Sequence, residues 1–263
     1  MRRLYLNGTA IEVSGSGSPL VLLHGVGLDQ TIWRGQVEAL AASHQVITYD
    51  LLGHGRSAAA PADARLADWV GQLESVVSHP ALQTFSLVGF SFGGLIAQRY
   101  AAQHSSRIDR LVLMSTVYDR SETERASVLS RLETARREGP GAIVSAALSR
   151  WFSSEFAEDH PGVMKHYNGM LRGNDAASFL SAYTCFATAD KELIQALADF
   201  PRPALVMTGE LDGGSTPGMA RKLAGMIPLA ECSIIAGGRH MMPVEMLGEV
   251  NSVLQKFLER GSP

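Results

Sequence analysis

The chain has 263 residues, of which 46% are hydrophobic and 19% are charged, and its formal net charge is -3. This composition is that of a globular protein and argues against a nucleic-acid-binding protein, in which basic residues cluster and outnumber acidic ones. The longest apolar run, around Leu111 to Met114, has the length of a strand, so we expect no membrane association. The first residues lack the apolar segment of a secretory signal, and we therefore expect a cytoplasmic protein.

The chain begins with an alternation of apolar and polar residues on both sides of Asn7-Gly8. An Asn-Gly pair in this setting is the strongest local signal for a hairpin, so two antiparallel strands are predicted. Continuous apolar runs of the kind found in strands buried on both faces follow at Leu20–Leu23, Val46–Tyr49, Phe85–Val88, Leu111–Met114, Leu205–Met207 and Ser233–Ile235.

Segments with helical periodicity lie between these runs, and alternation of strands with helices predicts a mostly parallel sheet covered by helices. The segments are Trp33–Ala41, Leu66–Val77, Leu95–Gln103, Met219–Met226 and Val250–Leu258. The pattern is interrupted from Tyr118 to about Phe200, where helical segments follow one another without a strand, at Glu122–Glu138, Ile143–Phe152 and Phe179–Leu197. The interruption ends at Pro201-Arg202-Pro203, since proline resists continuing a helix or a strand.

The most specific signal is the motif G-x-S-x-G at Gly89-Phe90-Ser91-Phe92-Gly93. It stands between a predicted strand and a predicted helix, which is the context that a nucleophile elbow requires. Outside that context the motif would be a chance match in a loop. We therefore predict that Ser91 is a catalytic nucleophile with an exposed hydroxyl.

A serine hydroxyl needs a base, and the base needs a carboxylate that orients it. His240 is the best candidate base, because it lies in a glycine-rich loop between the last predicted strand and the last helix. His24 and His54 also stand beside glycines, but they precede the nucleophile, whereas the base of an elbow serine follows it in the chain. Among the acids beyond the strand Leu205–Met207, Glu210 competes with Asp212, but the longer loop and the glycines that follow favour Asp212.

Acyl transfer also needs two donors that stabilise the oxyanion of the tetrahedral intermediate. One is expected to be the backbone N–H of Phe92, which follows the nucleophile. The other is expected in the loop after the first parallel strand, where we choose the N–H of Val26.

Taken together, these residues and Gly53-His54-Gly55-Arg56-Ser57 resemble the α/β-hydrolase superfamily over nearly the whole chain. The resemblance implies an eight-stranded, mostly parallel sheet flanked by helices. It also implies a core of residues 1–117 and 201–263 and a helical cap of residues 118–200. It implies no metal and no organic cofactor, and the two cysteines, Cys185 and Cys232, do not have the spacing of a metal site.

The segment His24-Gly25-Val26-Gly27-Leu28-Asp29, followed by Trp33, is most similar to 3-oxoadipate enol-lactonases and related bacterial carboxylesterases. This likeness implies a hydrolase that cleaves a small ester or lactone through an acyl-enzyme. Fluoroacetate-type dehalogenases and epoxide hydrolases are disfavoured, because they carry an aspartate where this chain has Ser91.

Two alternatives stay open. One is a carbon–carbon bond hydrolase of aromatic catabolism, although Val26 and Phe90 depart from the usual pattern of that group. The other is a binding protein without activity. The expected partner is a small molecule, and the oligomeric state stays open, with a homodimer as one option.

The aromatic and basic residues of the predicted cap could line the pocket or merely pack the helices. They are Arg131, Arg150, Trp151, Phe152, Tyr167 and Phe186. A buried arginine among them would favour substrates that carry a second carboxylate.

Overall fold

Eight strands of the described residues form one sheet in the computed structural model, which describes residues 1–79 and 82–260. The last residues of the predicted core, 261–263, lie outside the described residues. The strands are β1 (Arg2–Leu6), β2 (Thr9–Ser14), β3 (Ser18–Leu23), β4 (His44–Tyr49), β5 (Phe85–Phe90), β6 (Ile108–Met114), β7 (Ala204–Gly209) and β8 (Ala230–Ile235). Their order is β1-β2-β4-β3-β5-β6-β7-β8.

The pairing of the strands confirms the predicted sheet. β2 is antiparallel to β1 and to β4, and all other neighbours are parallel. The turn between β1 and β2 has φ values of 48° at Asn7 and 78° at Gly8. Positive φ at both positions is the requirement of a type I′ hairpin turn, which explains the Asn-Gly pair.

Helices connect the parallel strands as the sequence predicts. They are α1 (Arg34–Leu40), α2 (Leu66–Val77), α3 (Phe92–Gln103), α4 (Glu122–Glu138), α5 (Val144–Trp151), α6 (Ser154–Asp159), α7 (Pro161–Arg172), α8 (Ala176–Thr188), α9 (Pro217–Met226), α10 (Met242–Glu245) and α11 (Leu247–Leu258). Within the described ranges, no helix has the length and apolar character needed to cross a membrane.

The sheet separates two apolar layers. Leu20 and Leu22 of β3 lie in one hydrophobic cluster, to which α1 and α11 also contribute, whereas Val21 and Leu23 lie in the other with α2 and α3. Successive residues of a strand point to opposite faces, so burial on both faces requires the continuous apolar run seen in the sequence. β8 departs from that expectation. It lies at the edge of the sheet opposite β1, and most of its residues are exposed or half-buried.

Five helices, α4 to α8, lie between β6 and β7, in the segment where the sequence pattern is interrupted. α4 begins with a capping box in which Ser121 and Glu124 satisfy each other's backbone N–H groups. The sequence predicted neither α6 nor α7. α6 has only six residues, too few for a periodic pattern. α7 does carry apolar residues at helical spacing, and this signal was missed; the residues are Val163, Met164, Tyr167, Met170 and Leu171.

The buried carboxylate of Asp190 ties the two ends of this helical segment together. Its oxygens contact Arg120 Nη1 at 2.9 Å and Arg125 Nη2 at 2.8 Å. Arg120 follows β6, whereas Asp190 lies in a 3-10 turn, Ala189–Leu193, after α8. The side chains of Arg120 and Asp190 are 2% and 0% exposed. Removal of one partner from such a group leaves uncompensated buried charge.

We predict that Asp190→Ala lowers the free energy of unfolding by about 3–5 kcal/mol, because two arginines lose their counter-ion. Glu192→Ala is the matched control, since Glu192 lies in the same turn, is 61% exposed and is 3.6 Å from Arg99. Its loss is expected to cost less than about 1 kcal/mol. Urea unfolding of both variants measures the difference, and equal losses would contradict the interpretation.

Candidate active site

The residues that the sequence singles out lie at one edge of the sheet. Val26 follows β3, Ser91 follows β5, Asp212 follows β7 and His240 follows β8. The carboxyl ends of parallel strands share an edge, which is where open α/β sheets hold their ligands. Ser91, Asp212, His240 and Val26 all line one cavity. The fold therefore brings four of the five predicted site residues to the same cavity, and the fifth, Phe92, is the next residue after Ser91.

Ser91 stands on a strained turn between β5 and α3. Its φ is 55° and its ψ is -113°, values that a non-glycine residue rarely adopts. Its N–H donates to the carbonyl of Met114 at 2.9 Å, and its own carbonyl accepts from Thr116 Oγ1 at 2.9 Å. Contacts from the end of β6 and from the residues after it thus hold the strained serine in place.

The motif glycines are required by close approaches of backbone to backbone. A Cβ at Gly89 would lie 2.4 Å from the carbonyl oxygen of Gly93, and a Cβ at Gly93 would lie 2.5 Å from that of Leu23. Both distances are shorter than real Cβ contacts allow. The spacing of the motif therefore reflects the narrow space in which α3 begins.

His240 and Asp212 form a buried pair, in which Nδ1 of the imidazole lies 2.7 Å from Oδ2 of the carboxylate. The other carboxylate oxygen of Asp212 accepts from the N–H groups of Gly214 and Ser215, each at 2.9 Å. Burial alone would raise the pKa of Asp212, but attraction to His240 and these hydrogen bonds lower it below its ordinary value. The carboxylate is therefore ionised at neutral pH.

Glu210, the competing acid, does not reach the histidine. Its Oε2 accepts from the N–H of Gly237 at 2.9 Å and so fixes the start of the loop that carries His240. Asp212 is thus the acid that contacts His240, and Glu210 stabilises the loop.

Two aromatic rings contact the imidazole of His240. The Phe90 ring lies 5.0 Å from it and the Trp151 ring lies 5.6 Å from it, measured between centroids. The N–H of Met241 also donates to the carbonyl of Trp151 at 3.0 Å. The end of α5 is therefore attached to the loop that carries the histidine. No pattern in the sequence indicated that Phe90 or Trp151 would contact His240.

The loop after β3 forms a turn beside Ser91. The N–H of Leu28 donates to the carbonyl of Gly25 at 3.3 Å, and Gly27 has a φ of 78°, as in a type II turn. The N–H of Gly93 donates to the carbonyl of His24 at 3.1 Å, which holds this turn, hereafter the Gly25–Leu28 turn, against the start of α3. In the described part of the chain, the N–H groups of Val26 and Phe92 have no acceptor.

The side chain of His24 fixes the peptide that supplies the Val26 N–H. Its Nε2 accepts from the N–H of Leu51 at 2.9 Å, so its Nδ1 carries the hydrogen and donates to the carbonyl of Gly25 at 2.8 Å. Burial lowers the pKa of His24 to about 4, so the ring is neutral at physiological pH. Because the C=O and N–H of one trans peptide point in opposite directions, this bond directs the Val26 N–H away from His24.

The cavity has a volume of about 280 Å³ and lies between the sheet edge and the helices α4 to α8. Of the residues whose role the sequence left open, Arg131, Arg150, Trp151 and Phe186 line it. Phe152 and Tyr167 instead pack against each other in the core, with ring centroids 5.5 Å apart. Among residues 1–79 and 82–260, no group of three His, Cys, Asp or Glu side chains could hold a metal ion.

The chain matches the family model described as the alpha/beta hydrolase fold over residues 18–245. It is 30% identical to the (E)-2-((N-methylformamido)methylene)succinate hydrolase of Acinetobacter baylyi, over 93% of this chain and 92% of that protein. Its structure resembles the enol-lactonase from Burkholderia xenovorans LB400, with a TM-score of 0.88 and 26% identity over 98% of this chain and 100% of the other. An esterase from Thermogutta terrifontis, solved with malate bound, has a TM-score of 0.87 and 27% identity over 98% of each chain.

We predict that stability falls as the pH is lowered from 7 to 5. Burial lowers the pKa of His24 to about 4 and that of His54 to about 3, whereas both have an ordinary value of 6.5 in the unfolded chain. Below pH 6.5 the unfolded chain therefore binds protons that the folded chain excludes. Each histidine contributes a slope of up to about 1.4 kcal/mol per pH unit.

Urea unfolding at several pH values measures this slope. His54→Asn is expected to reduce it by about one proton. A slope that His54→Asn does not alter would contradict the assignment.

Proposed function

The chain is a hydrolase of the α/β-hydrolase fold family, and we propose that it cleaves a small carboxylic ester or enol-lactone through an acyl-serine intermediate. The observation that carries this proposal is the 2.7 Å contact between His240 Nδ1 and the Asp212 carboxylate in the cavity that Ser91 also lines. A nucleophile, a base and an orienting acid at one cavity are the requirements of this chemistry.

The tautomer of His240 supports its role as the base. A carboxylate only accepts hydrogen bonds, so Nδ1 carries the hydrogen and Nε2 retains a lone pair. His240 Nε2 takes the proton of Ser91 Oγ as the oxygen attacks the carbonyl carbon. Asp212 stabilises the imidazolium that forms, and the rings of Phe90 and Trp151 restrict the plane of the imidazole.

The oxyanion of the tetrahedral intermediate lies against the N–H groups of Val26 and Phe92. Collapse breaks the bond to the leaving oxygen, which takes the proton from His240 and departs as an alcohol or enol. Water then attacks the acyl-serine, gives a proton to His240 and releases the acid, and that proton returns to Ser91.

The helices α4 to α8 form a cap whose arginines select the substrate. Arg131 donates hydrogen bonds to the hydroxyls of Tyr183 and Ser127, and Arg150 donates one to the carbonyl of Ala146. Neither of the two forms a salt bridge with any acid in residues 1–79 and 82–260.

Arg150 stays partly exposed, and its partial burial, followed by repulsion from Arg131, lowers the pKa of its guanidinium. A substrate carboxylate between the two arginines would relieve both effects. The substrate is therefore an ester or enol-lactone that carries a second, free carboxylate. The succinate group in the name of the Acinetobacter baylyi relative and the malate bound to the Thermogutta terrifontis esterase agree with this class.

Hydrolysis of simple esters tests the roles of Ser91 and His240. The purified protein is expected to release p-nitrophenol from short-chain p-nitrophenyl esters, and Ser91→Ala and His240→Ala are expected to lower kcat at least about 10³-fold, because nucleophile and base act as a unit. The assay covers acetate through octanoate. An inert wild type contradicts the esterase form of the proposal and favours a restrictive lactonase, a carbon–carbon hydrolase or a binding protein.

Two esters that differ in charge test whether Arg150 binds a substrate carboxylate. The wild type is expected to prefer p-nitrophenyl hydrogen glutarate over p-nitrophenyl butyrate, and Arg150→Met is expected to raise KM for the glutarate roughly 10- to 100-fold while that for the butyrate stays constant. The matched control is Arg137→Met, since the Arg137 side chain is 67% exposed and forms a salt bridge with its neighbour Glu138. An equal loss on both esters would contradict the carboxylate site.

A further inference from the structure

The side chain of Asn174 joins the helices α7 and α8 to the loop that carries Val26. Asn174 lies in the short connection between these helices, and its Nδ2 lies 2.9 Å from the carbonyl oxygen of Gly27, 3.1 Å from that of Met170 and 3.2 Å from that of Leu171. Three carbonyl oxygens around one terminal atom require that atom to be the donor nitrogen. The same amide group thus caps the end of α7 and holds the Gly25–Leu28 turn.

The connection around Asn174 is itself firmly held. Asp175 accepts from the N–H of Ser178 at 2.8 Å and so begins α8, and the N–H of Gly173 donates to the carbonyl of Gly169 at 2.9 Å. A backbone group at each of the two helix ends beside Asn174 therefore has a hydrogen-bond partner. These bonds hold the amide group of Asn174 in place.

Gly27 needs a restraint from outside its own turn. Its φ of 78° lies in the region that glycine enters freely, and glycine also adopts the opposite sign at little cost. The hydrogen bond that closes the turn, from Leu28 to Gly25, is long at 3.3 Å. A Cβ at Gly27 would lie 2.9 Å from Leu171 and 3.1 Å from Phe179, so α7 and α8 pack directly on this residue.

Two hydrogen bonds of different origin hold the chain around the Val26 N–H, one at the Gly25–Val26 peptide itself and one at the Gly27–Leu28 peptide that follows. His24 binds the carbonyl of Gly25 from within the core, and Asn174 binds the carbonyl of Gly27 from the helical segment. The Val26 N–H lies between these two anchors. Loss of the second anchor frees Gly27 to rotate, and the direction of the Val26 N–H then varies.

We propose that Asn174 is a positioning residue for the oxyanion site, which couples the packing of α7 and α8 to the direction of the Val26 N–H. This inference rests on the proposed function, because the Val26 N–H acts on the oxyanion of an acyl transfer. Asn174 itself does not touch the substrate. Its effect is expected in kcat, since the oxyanion forms only in the transition state.

The test compares Asn174→Ala and Asn174→Asp with the control Asn168→Ala. Asn168 lies on α7, close in the chain to Asn174, and accepts a hydrogen bond from Arg172 on the exposed surface. For p-nitrophenyl acetate, Asn174→Ala is expected to lower kcat about 10-fold and to change KM less than about 2-fold. The loss is smaller than the roughly 10²–10³-fold that removal of an oxyanion donor costs, because the N–H is still present.

Asn174→Asp is expected to lower kcat at least as much, since a carboxylate cannot donate to the carbonyl of Gly27. Rates are expressed per reactive serine, titrated with a fluorophosphonate, so that misfolded protein does not count. A role limited to capping α7 would lower Tm and leave kcat unchanged, and that result would overturn the inference.

A second measurement does not depend on turnover. Hydrogen–deuterium exchange of the segment 24–30 is expected to be about 10-fold faster in Asn174→Ala than in the wild type and unchanged in Asn168→Ala. Equal exchange in all three proteins would overturn the proposed link between Asn174 and the Gly25–Leu28 turn, even if the enzyme is active. An inert wild type with faster exchange in Asn174→Ala would contradict the proposed function but still support the link between Asn174 and this turn.

Discussion

The close approach of two backbones, at the start of α3 and at the end of β3, is the constraint on which the site depends. Gly93 donates to the carbonyl of His24 at 3.1 Å, and no side chain larger than hydrogen fits at Gly93. This approach places the nucleophile and the Gly25–Leu28 turn side by side. It also requires Ser91 to occupy a strained backbone conformation, which the surrounding hydrogen bonds hold.

The parallel sheet supplies the remaining geometry. β5, β7 and β8 end at the same edge, so loops that are far apart in the chain deliver Ser91, Asp212 and His240 to one cavity. Hydrogen bonds to nearby backbone groups hold the loops of Asp212 and His240. Asp212 is held by two backbone N–H groups, and Glu210 holds the loop of His240 through Gly237. The arrangement is therefore formed before any substrate binds.

The helices α4 to α8 contact this arrangement at two separate points. The carbonyl of Trp151 accepts from Met241 beside His240, and Asn174 donates to Gly27 beside Val26. Between these points the same helices expose Arg131 and Arg150 to the cavity. The helices that line the cavity thus also support the loops of His240 and Val26, so their packing and the shape of the cavity are physically linked.

Much of this protein was determined by local sequence. The hairpin at Asn7-Gly8, the bounds of α2 and α4 and the succession of buried strands follow from periodicity, turn chemistry and capping, which act over a few residues. The same is true of Ser91, because the elbow is a local motif, and of the place of His240 in a loop after the last strand.

Only the tertiary structure decided which distant groups meet. It directed Arg150 into the cavity and Phe152 into the core, and it joined Asn174 to Gly27 across 147 positions of the chain. It also left β8 exposed as an edge strand. The physical reason is that such contacts depend on how helices pack against the sheet, and residue pattern records whether a side chain is buried but not against which partner.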